Sequence, residues 1–275
     1  MRGLLSLAAL LSLLAPAVRA ETGFSVRPFD RIDAPGWSYS AEVRETTFKV
    51  LSVAGNMTQL QPSAAYRTDA WGFGVLQPLT RLYSQQEAHL RWSNTMLFGE
   101  KRFGWESGGW RSALGLQVEI PGGGSAYGVS SNQKGFLPYA VAEHPMEGGD
   151  FFQGGIGLRQ TLGAFYQNPD HYIVGDMHGN TELLYRLGLG TVWKEGAARS
   201  LVYLDGVQVL SDNESGNQTG NGGNSNTLSS SLLVAGLQAV FRLSHALDLT
   251  ALLEAPASSD ARYDFRVGLG LTYRR

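Results

Sequence analysis

Apolar and polar residues alternate with a period of two along much of the chain, most clearly in the last segment, residues 261–275. Alternate positions there are Tyr263, Phe265, Val267, Leu269, Leu271 and Tyr273 on one side, and Asp264, Arg266, Gly268, Gly270 and Thr272 on the other. Because successive side chains of a β-strand point to opposite faces, this pattern predicts a strand with one apolar and one polar face. The segment has about the ~10 residues that a tilted strand needs to cross a bilayer.

The same alternation recurs in earlier segments, and no stretch has a convincing helical period. The segments with this pattern contain Leu90, Leu116, Leu158, Leu187, Leu237 and Leu249. Repeated period-two alternation of this kind predicts an all-β chain of about 12 antiparallel strands, within a range of about 10–14. Two architectures fit it, a soluble β-sandwich and a transmembrane β-barrel, which differ in whether protein or lipid covers the apolar faces.

The lengths of the predicted links favour the barrel. From the C-terminus backwards they read medium, short, long, short, long, short, and their bounds are Pro256–Asp260, Ser244–His245, Ser211–Ser229, Lys194–Ala197, Gln167–Asn180 and Pro145–Asp150. Outer-membrane barrels have short periplasmic turns and longer outer loops. The chain therefore predicts a single-chain transmembrane antiparallel β-barrel over residues 37–275.

The N-terminus has the features of a secretory signal. Arg2 precedes an apolar run from Leu4 to Leu14, and Val18-Arg19-Ala20 forms a small-residue cleavage site. We expect residues 1–20 to be removed after Ala20 and residues 21–36, which contain Pro28 and Pro35, to form an exposed lead-in. The predicted location is the outer membrane of a bacterial cell.

The composition of the chain excludes several kinds of site and partner. The chain has no cysteine, and this excludes a disulfide framework or a thiolate metal site. The formal net charge of -2 gives no basic signature, so a nucleic-acid partner is not expected. Its 35 glycines exceed the usual share of about 7% and often alternate with apolar residues, which suits a crowded inner barrel face.

One motif points to a different class of protein. Residues 175–180, GDMHGN, resemble the first metal-binding motif of calcineurin-like metallophosphoesterases, in which Asp176 and His178 would bind metal. The later metal-ligand motifs of that family are missing, and the only later histidine is His245. We therefore interpret the motif as part of a polar outer loop and predict no catalytic residues, no cofactor and no enzyme activity. A periplasmic metallophosphoesterase remains the alternative from another class.

Several segments resemble the meta-pathway phenol-degradation-like family of outer-membrane proteins. They are EAHLRWSNTMLFGEKRF (87–103), LGLQVEIPGG (114–123), FRLSHALDLTALLEAP (241–256) and RVGLGLTY (266–273). The resemblance implies an outer-membrane channel or transporter for hydrophobic or aromatic compounds. Closing strands commonly end on an aromatic residue that the barrel-assembly machinery reads, whereas Arg274 and Arg275 follow Tyr273 here.

These patterns together predict a passive channel for small compounds, with membrane lipid, the barrel-assembly machinery and a small solute as partners. The alternative within the same fold is a non-conducting structural or adhesive barrel that acts through Ser211–Ser229. The candidates for lining the lumen are Arg91, Arg111, Glu119, Arg159, Glu182, Arg186, Arg242, Glu254, Asp264 and Arg266. Their excess of arginine predicts a weak preference for anions.

Overall fold

The computed structural model describes residues 35–50, 53–84, 87–104, 109–122, 134–162, 181–193, 196–211, 231–257 and 264–275. These residues form twelve strands, of which two consist of two segments each. The strands are β1 (Gly36–Val50), β2 (Val53–Arg67), β3 (Trp71–Leu76 and Leu79–Ser84), β4 (Glu87–Trp92 and Thr95–Phe103), β5 (Arg111–Ile120), β6 (Lys134–Pro145), β7 (Asp150–Leu162), β8 (Thr181–Trp193), β9 (Ala198–Ser211), β10 (Ser231–Arg242), β11 (Leu247–Pro256) and β12 (Phe265–Arg274). The predicted signal peptide, most of the lead-in, and Asp176 and His178 lie outside the described residues.

The sheet closes on itself. Each strand pairs antiparallel with the next along the chain, and β12 pairs with β1 from Ser38↔Arg274 to Thr47↔Phe265. Closure gives every strand a neighbour on both sides, although among the described residues the segment Glu87–Trp92 of β4 pairs only with Leu79–Ser84 of β3. A closed sheet is the form in which β-structure can span lipid. The predicted all-β, single-chain antiparallel barrel of twelve strands is confirmed.

The interruptions of β3 and β4 lie beside each other. Pro78 has no backbone N–H to donate, but its carbonyl accepts a hydrogen bond from the Ser93 backbone N–H at 2.9 Å. The side-chain amide of Gln77 donates to the Ser93 carbonyl, also at 2.9 Å. These bonds hold the two strands together where the regular ladder stops.

Helical structure is minimal in the part of the chain that the structure describes. It includes a single 3₁₀ turn, Glu147–Gly149. No helix in the described part of the chain is long and apolar enough to cross a membrane.

We call the barrel end that carries the C-terminus the terminus end, and the opposite one the far end. At the terminus end the backbones of Trp37 and Arg275 exchange hydrogen bonds of 3.0 and 2.9 Å. The links at this end are residues 68–70, 104–110, 146–149, 194–197 and 243–246. The links at the far end are residues 51–52, 85–86, 121–133, 163–180, 212–230 and 257–264, so the longest links share one end.

The distribution of exposure is the reverse of that in a soluble protein. Large apolar side chains face outward, for example Leu269 (62% exposed) and Leu187 (57%), whereas charged side chains such as Glu182 and Arg266 (both 1%) are buried inside. In soluble proteins unpaired charges are almost never buried and large apolar patches are rarely exposed. The outside therefore fits hydrocarbon, and among the described residues no second sheet covers it.

Aromatic residues gather on the outer surface near the terminus end. Tyr66 packs against Trp37 and Phe73, with ring centroids 5.0 and 5.7 Å apart, and the ammonium of Lys101 lies 4.4 Å from the ring of Trp71. Aromatic rings with a nearby cation are typical of the belt at a membrane–water interface.

Candidate functional site in the barrel interior

The candidate site consists of the inward-facing side chains. Neighbouring strands place charged residues of opposite sign side by side in the ladder, because the residues that face inward on one strand lie opposite inward-facing residues on the next. Three such pairs are buried along the bore: Arg159 with Glu182, Arg186 with Asp205, and Arg266 with Glu254.

Arg186 on β8 and Asp205 on β9 face each other directly in the ladder. The guanidinium makes two parallel contacts, Nε to Oδ1 at 2.6 Å and Nη2 to Oδ2 at 2.5 Å. It also lies 4.0 Å from the ring of Tyr203, which adds a cation–π contact. Bidentate charge-assisted pairs of this kind are strong and fix the orientation of both side chains.

Arg159 on β7 lies between two carboxylates. Its Nε and Nη2 donate to Oε2 of Glu182 at 2.9 and 2.5 Å, and its Nη1 is 3.9 Å from Oε1 of Glu119 on β5. One arginine and two carboxylates give this group of three side chains a negative formal charge.

Two tyrosines share a second arrangement, in which the hydroxyl donates to a carboxylate two strands away. The Tyr203 hydroxyl donates to Oε1 of Glu254 at 2.6 Å, and Oε2 of that carboxylate accepts from Arg266 at 2.7 Å. The Tyr139 hydroxyl donates to Oε2 of Glu100 at 3.1 Å. Each ring passes over a glycine on the intervening strand to reach its carboxylate.

Apolar residues also face inward and pack together. One cluster contains Leu137, Leu184, Val207, Leu232 and Val234, and a second contains Phe151, Leu201, Tyr203 and Leu252. Leu184 is 0% exposed and Leu232 1%. Side chains that a water molecule cannot touch leave no open space around themselves, so the bore is filled at these positions.

The structure places the predicted lumen-lining residues in three groups. Glu119, Arg159, Glu182, Arg186, Glu254 and Arg266 are buried in the interior pairs described above. Arg111 and Arg242 lie at the terminus end, 3.9 Å from Glu143 and 3.7 Å from Asp248. The third group consists of Asp264 and Arg91, which lie neither in the interior pairs nor at the terminus end. Asp264 precedes β12 at the far end, where its N–H donates to the Thr47 carbonyl at 3.1 Å, and Arg91 lies opposite Thr80 in the ladder. The structure describes the backbone of Arg91 but not its side chain.

Sequence reasoning missed about as many inward charges as it found. The missed residues are Glu42, Arg44, Arg67, Glu100, Arg102, Glu143, Arg199, Asp205, Asp248 and Arg274. A signal for two of them was present, because Ser40, Glu42, Arg44 and Thr46 keep the two-residue spacing. Among the described residues, no three His, Asp or Glu side chains are grouped to hold a metal ion.

Comparison with known proteins supports the fold. No family model matches the sequence, and no curated protein matches it. The structure is similar to the COG4313 outer membrane channel from Pseudomonas putida F1, with a TM-score of 0.66 and 11% identity over 89% of this chain and 97% of that one. It is also similar to the KdgM porin in complex with disordered oligogalacturonate (TM-score 0.53, 9% identity, 86% and 99% covered). A third similar structure is the beta domain of the Bordetella autotransporter Brka, with a TM-score of 0.51 and 16% identity over 88% of this chain and 99% of that one.

At these identities the likeness establishes the fold and nothing finer. The chain has the fold of outer-membrane β-barrels, and the expected resemblance to an outer-membrane channel family is supported at that level.

Proposed function

We propose that this chain is a bacterial outer-membrane β-barrel that acts as a passive channel or transporter for small compounds. The observation that carries the proposal is the closed ring of twelve strands with exposed leucines outside and paired charges inside. A polar interior surrounded by a lipid-facing apolar surface gives a solute a route that the bilayer does not offer. The similar COG4313 protein is described as an outer membrane channel, which agrees with this function.

The bore restricts which compounds could pass. A barrel of this strand number is narrow, and here tyrosines, leucines and arginine–carboxylate pairs fill much of it. We expect low conductance and passage of small solutes only. The inward rings of Tyr139, Phe151 and Tyr203 lie beside polar groups, and such a mixed surface suits a compound with an aromatic ring and a polar substituent.

The proposed topology follows from the links. The terminus end, with its short links, would face the periplasm, and the far end would face the outside. Membrane lipid and the barrel-assembly machinery are then the expected partners, and cleavage after Ala20 remains a prediction.

A non-conducting structural or adhesive barrel is the second candidate. The observation in its favour is the packing of the bore, where Leu184, Leu232 and Glu182 have almost no accessible surface. Such a barrel would act through its far-end links, and residues 212–230 form one of the longest.

Conductance in planar bilayers separates these two functions. We expect the purified protein to give small, voltage-independent steps, and Tyr139→Ala with Tyr203→Ala to raise the conductance because both rings lie inside the bore. Tyr273→Ala is the matched control, since Tyr273 is on the outer surface and should leave the steps unchanged. Folding of each variant is checked by its migration on a gel before and after boiling. Silent bilayers with both the wild type and the double variant would contradict the channel and favour the structural barrel.

We propose no enzyme activity for this barrel. The metallophosphoesterase alternative depends on Asp176 and His178, which lie outside the described residues. Metal analysis together with a phosphodiester assay on the purified protein tests it directly, and metal-dependent hydrolysis that Asp176→Asn abolishes would reinstate it.

A further inference from the structure

Three buried carboxylates at the terminus end are each bracketed by two arginines. Glu100 lies between Arg67 and Arg102, Glu143 between Arg111 and Arg199, and Asp248 between Arg242 and Arg274. We call these three groups the terminus-end triads.

The distances show how each carboxylate is shared. Oε1 of Glu100 is 3.1 Å from Nε of Arg67 and 3.7 Å from Nε of Arg102. Oδ2 of Asp248 is 2.6 Å from Nη2 of Arg274, and its Oδ1 is 3.7 Å from Nε of Arg242. Each carboxylate therefore holds two guanidinium groups close to each other.

The triad at Glu143 spans several strands. One of its oxygens is 3.9 Å from Nη1 of Arg111 on β5, and the other accepts a hydrogen bond from Nη2 of Arg199 on β9. Arg199 reaches Glu143 across two intervening strands, β7 and β8, and its guanidinium lies 3.9 Å from the ring of Phe151 on β7. The ring and the carboxylate together fix the direction in which Arg199 points.

All six arginines lie where their strands meet the terminus end. Arg67, Arg242 and Arg274 are the last residues of β2, β10 and β12. Arg111 begins β5, and Arg102 and Arg199 are one residue from the ends of β4 and β9. The triads therefore surround the opening at this end.

Charge is distributed unevenly along the described interior. Farther into the bore the acids match or outnumber the arginines, as in Arg186 with Asp205, Arg266 with Glu254, and Arg159 with both Glu119 and Glu182. In each terminus-end triad the ratio is two arginines to one carboxylate. The formal charge of each triad is therefore positive, although the exposed side chains of Asp69 and Glu147 also lie in links at this end.

We propose that the terminus-end triads form an anion-binding mouth that takes small oxyanions, carboxylates or phosphates, at this opening. Its placement on the periplasmic side rests on the proposed function, whereas the binding itself does not. The carboxylates are positioning residues, because they hold guanidiniums that carry five N–H donors each in a planar fork suited to oxyanions. The side chains of Arg111 and Arg242 are 39% and 49% exposed, so a solute at the opening can reach them.

Direct binding tests the mouth without any need for conduction. Isothermal titration of inorganic phosphate into the protein in a neutral detergent at low salt should show saturable binding that weakens as salt rises. Arg111→Gln combined with Arg242→Gln makes two triads neutral and should weaken binding at least about tenfold, as expected for the loss of charge-assisted bonds. Arg81→Gln is the matched control, because Arg81 is an exposed arginine on the outer face of β3. Absence of phosphate binding to the wild type, or equal binding to the double variant, would overturn the proposal.

Ion selectivity provides the second measurement. In bilayers under a salt gradient, the reversal potential of the wild type should indicate anion preference, and the double glutamine variant should move the permeability ratio at least about twofold toward cations. Arg111→Lys with Arg242→Lys keeps the charge and should keep the preference, which separates loss of charge from misfolding. Phosphate binding without conductance would contradict the proposed channel function and support the anion-binding mouth. Conductance without phosphate binding or anion preference would overturn the anion-binding mouth and support the channel function.

Discussion

The ring of Tyr203 on β9 lies over Gly236 on β10, so closely that a methyl group on that glycine would overlap the ring. The two residues face each other in the ladder, and Glu254 on β11 is the next residue in the same row. The missing side chain at Gly236 is what allows the Tyr203 hydroxyl to reach Glu254.

The same row occurs a second time in the barrel. Glu100, Gly115 and Tyr139 lie side by side on β4, β5 and β6, and a methyl group on Gly115 would overlap the ring of Tyr139. On the other side each tyrosine is flanked by another glycine, Gly157 or Gly188. Part of the high glycine content thus has a specific cause, the seating of aromatic rings against the inner wall.

Replacement of Gly236 with alanine tests this arrangement. The added methyl group must displace the ring and weaken the bond from the Tyr203 hydroxyl to Glu254, so we expect the free energy of unfolding to fall by about 1–3 kcal/mol. Urea titration of the protein folded into lipid vesicles, followed by tryptophan fluorescence, measures the change.

Gly99→Ala is the matched control for that substitution. Gly99 lies on the outer face of β4, and a methyl group there would meet no atom within 4 Å. Its loss of backbone freedom in the unfolded chain should leave stability unchanged or raise it by up to about 1 kcal/mol. Equal losses from the two variants would show that Tyr203 does not depend on the space at Gly236.

Strand β12 shows how much of the fold could be predicted from the alternation of apolar and polar residues. Leu269 and Leu271 are exposed outward and Arg266 is buried inward, as the two-residue period predicts for a lipid-facing strand. In β1 the same signal is obscured because Glu45 faces outward, where it accepts hydrogen bonds from Asn56 at 2.6 Å and Thr58 at 2.5 Å. A polar residue on the lipid-facing side weakens the contrast between the two faces, so Glu42 and Arg44 were missed although the polar face itself keeps the two-residue spacing.

The content of the bore could not be read from periodicity. The period assigns residues to a face, but it does not say which strand lies beside which or in what register. Tyr203 and Glu254 are far apart in sequence and meet only because three consecutive strands align them. The link lengths had a similar limit, because the links 51–52 and 85–86 are only two residues long and join strands at the far end, where longer loops are the rule.

Tyr203→Phe removes one hydroxyl and keeps the ring on Gly236. Glu254, which is buried, then loses the hydrogen bond from Tyr203 and keeps the one from Arg266, and we expect a loss of about 1.5–3 kcal/mol in the free energy of unfolding. Tyr273→Phe changes the same group on the outer surface and should alter stability by less than about 0.5 kcal/mol. A Tyr203→Phe variant as stable as the wild type would show that Arg266 alone satisfies Glu254.

The pair Arg186–Asp205 should behave as a coupled unit. Arg186→Met or Asp205→Leu alone leaves a buried charge without its bidentate partner, so each should lower stability by about 3–5 kcal/mol. The double variant removes both charges and should lose much less than the sum of the two. Unfolding titrations of all four proteins give the coupling energy, and additive losses would mean that the two side chains do not stabilise each other.

A charge on the outside of the barrel should be costly only where lipid surrounds it. Leu269 lies near the middle of β12 and is well exposed, so in a soluble protein Leu269→Arg would change stability little. Against hydrocarbon, the same substitution should lower the free energy of unfolding by about 2–4 kcal/mol. Leu243→Arg is the control, because Leu243 is similarly exposed but lies in the link after β10 at the terminus end, where a cost of about 0–1 kcal/mol is expected. The difference between the two variants, measured by unfolding from lipid vesicles, reports the depth of each position. If Leu269→Arg costs no more than Leu243→Arg, the outer leucines do not face hydrocarbon and the barrel does not span a membrane.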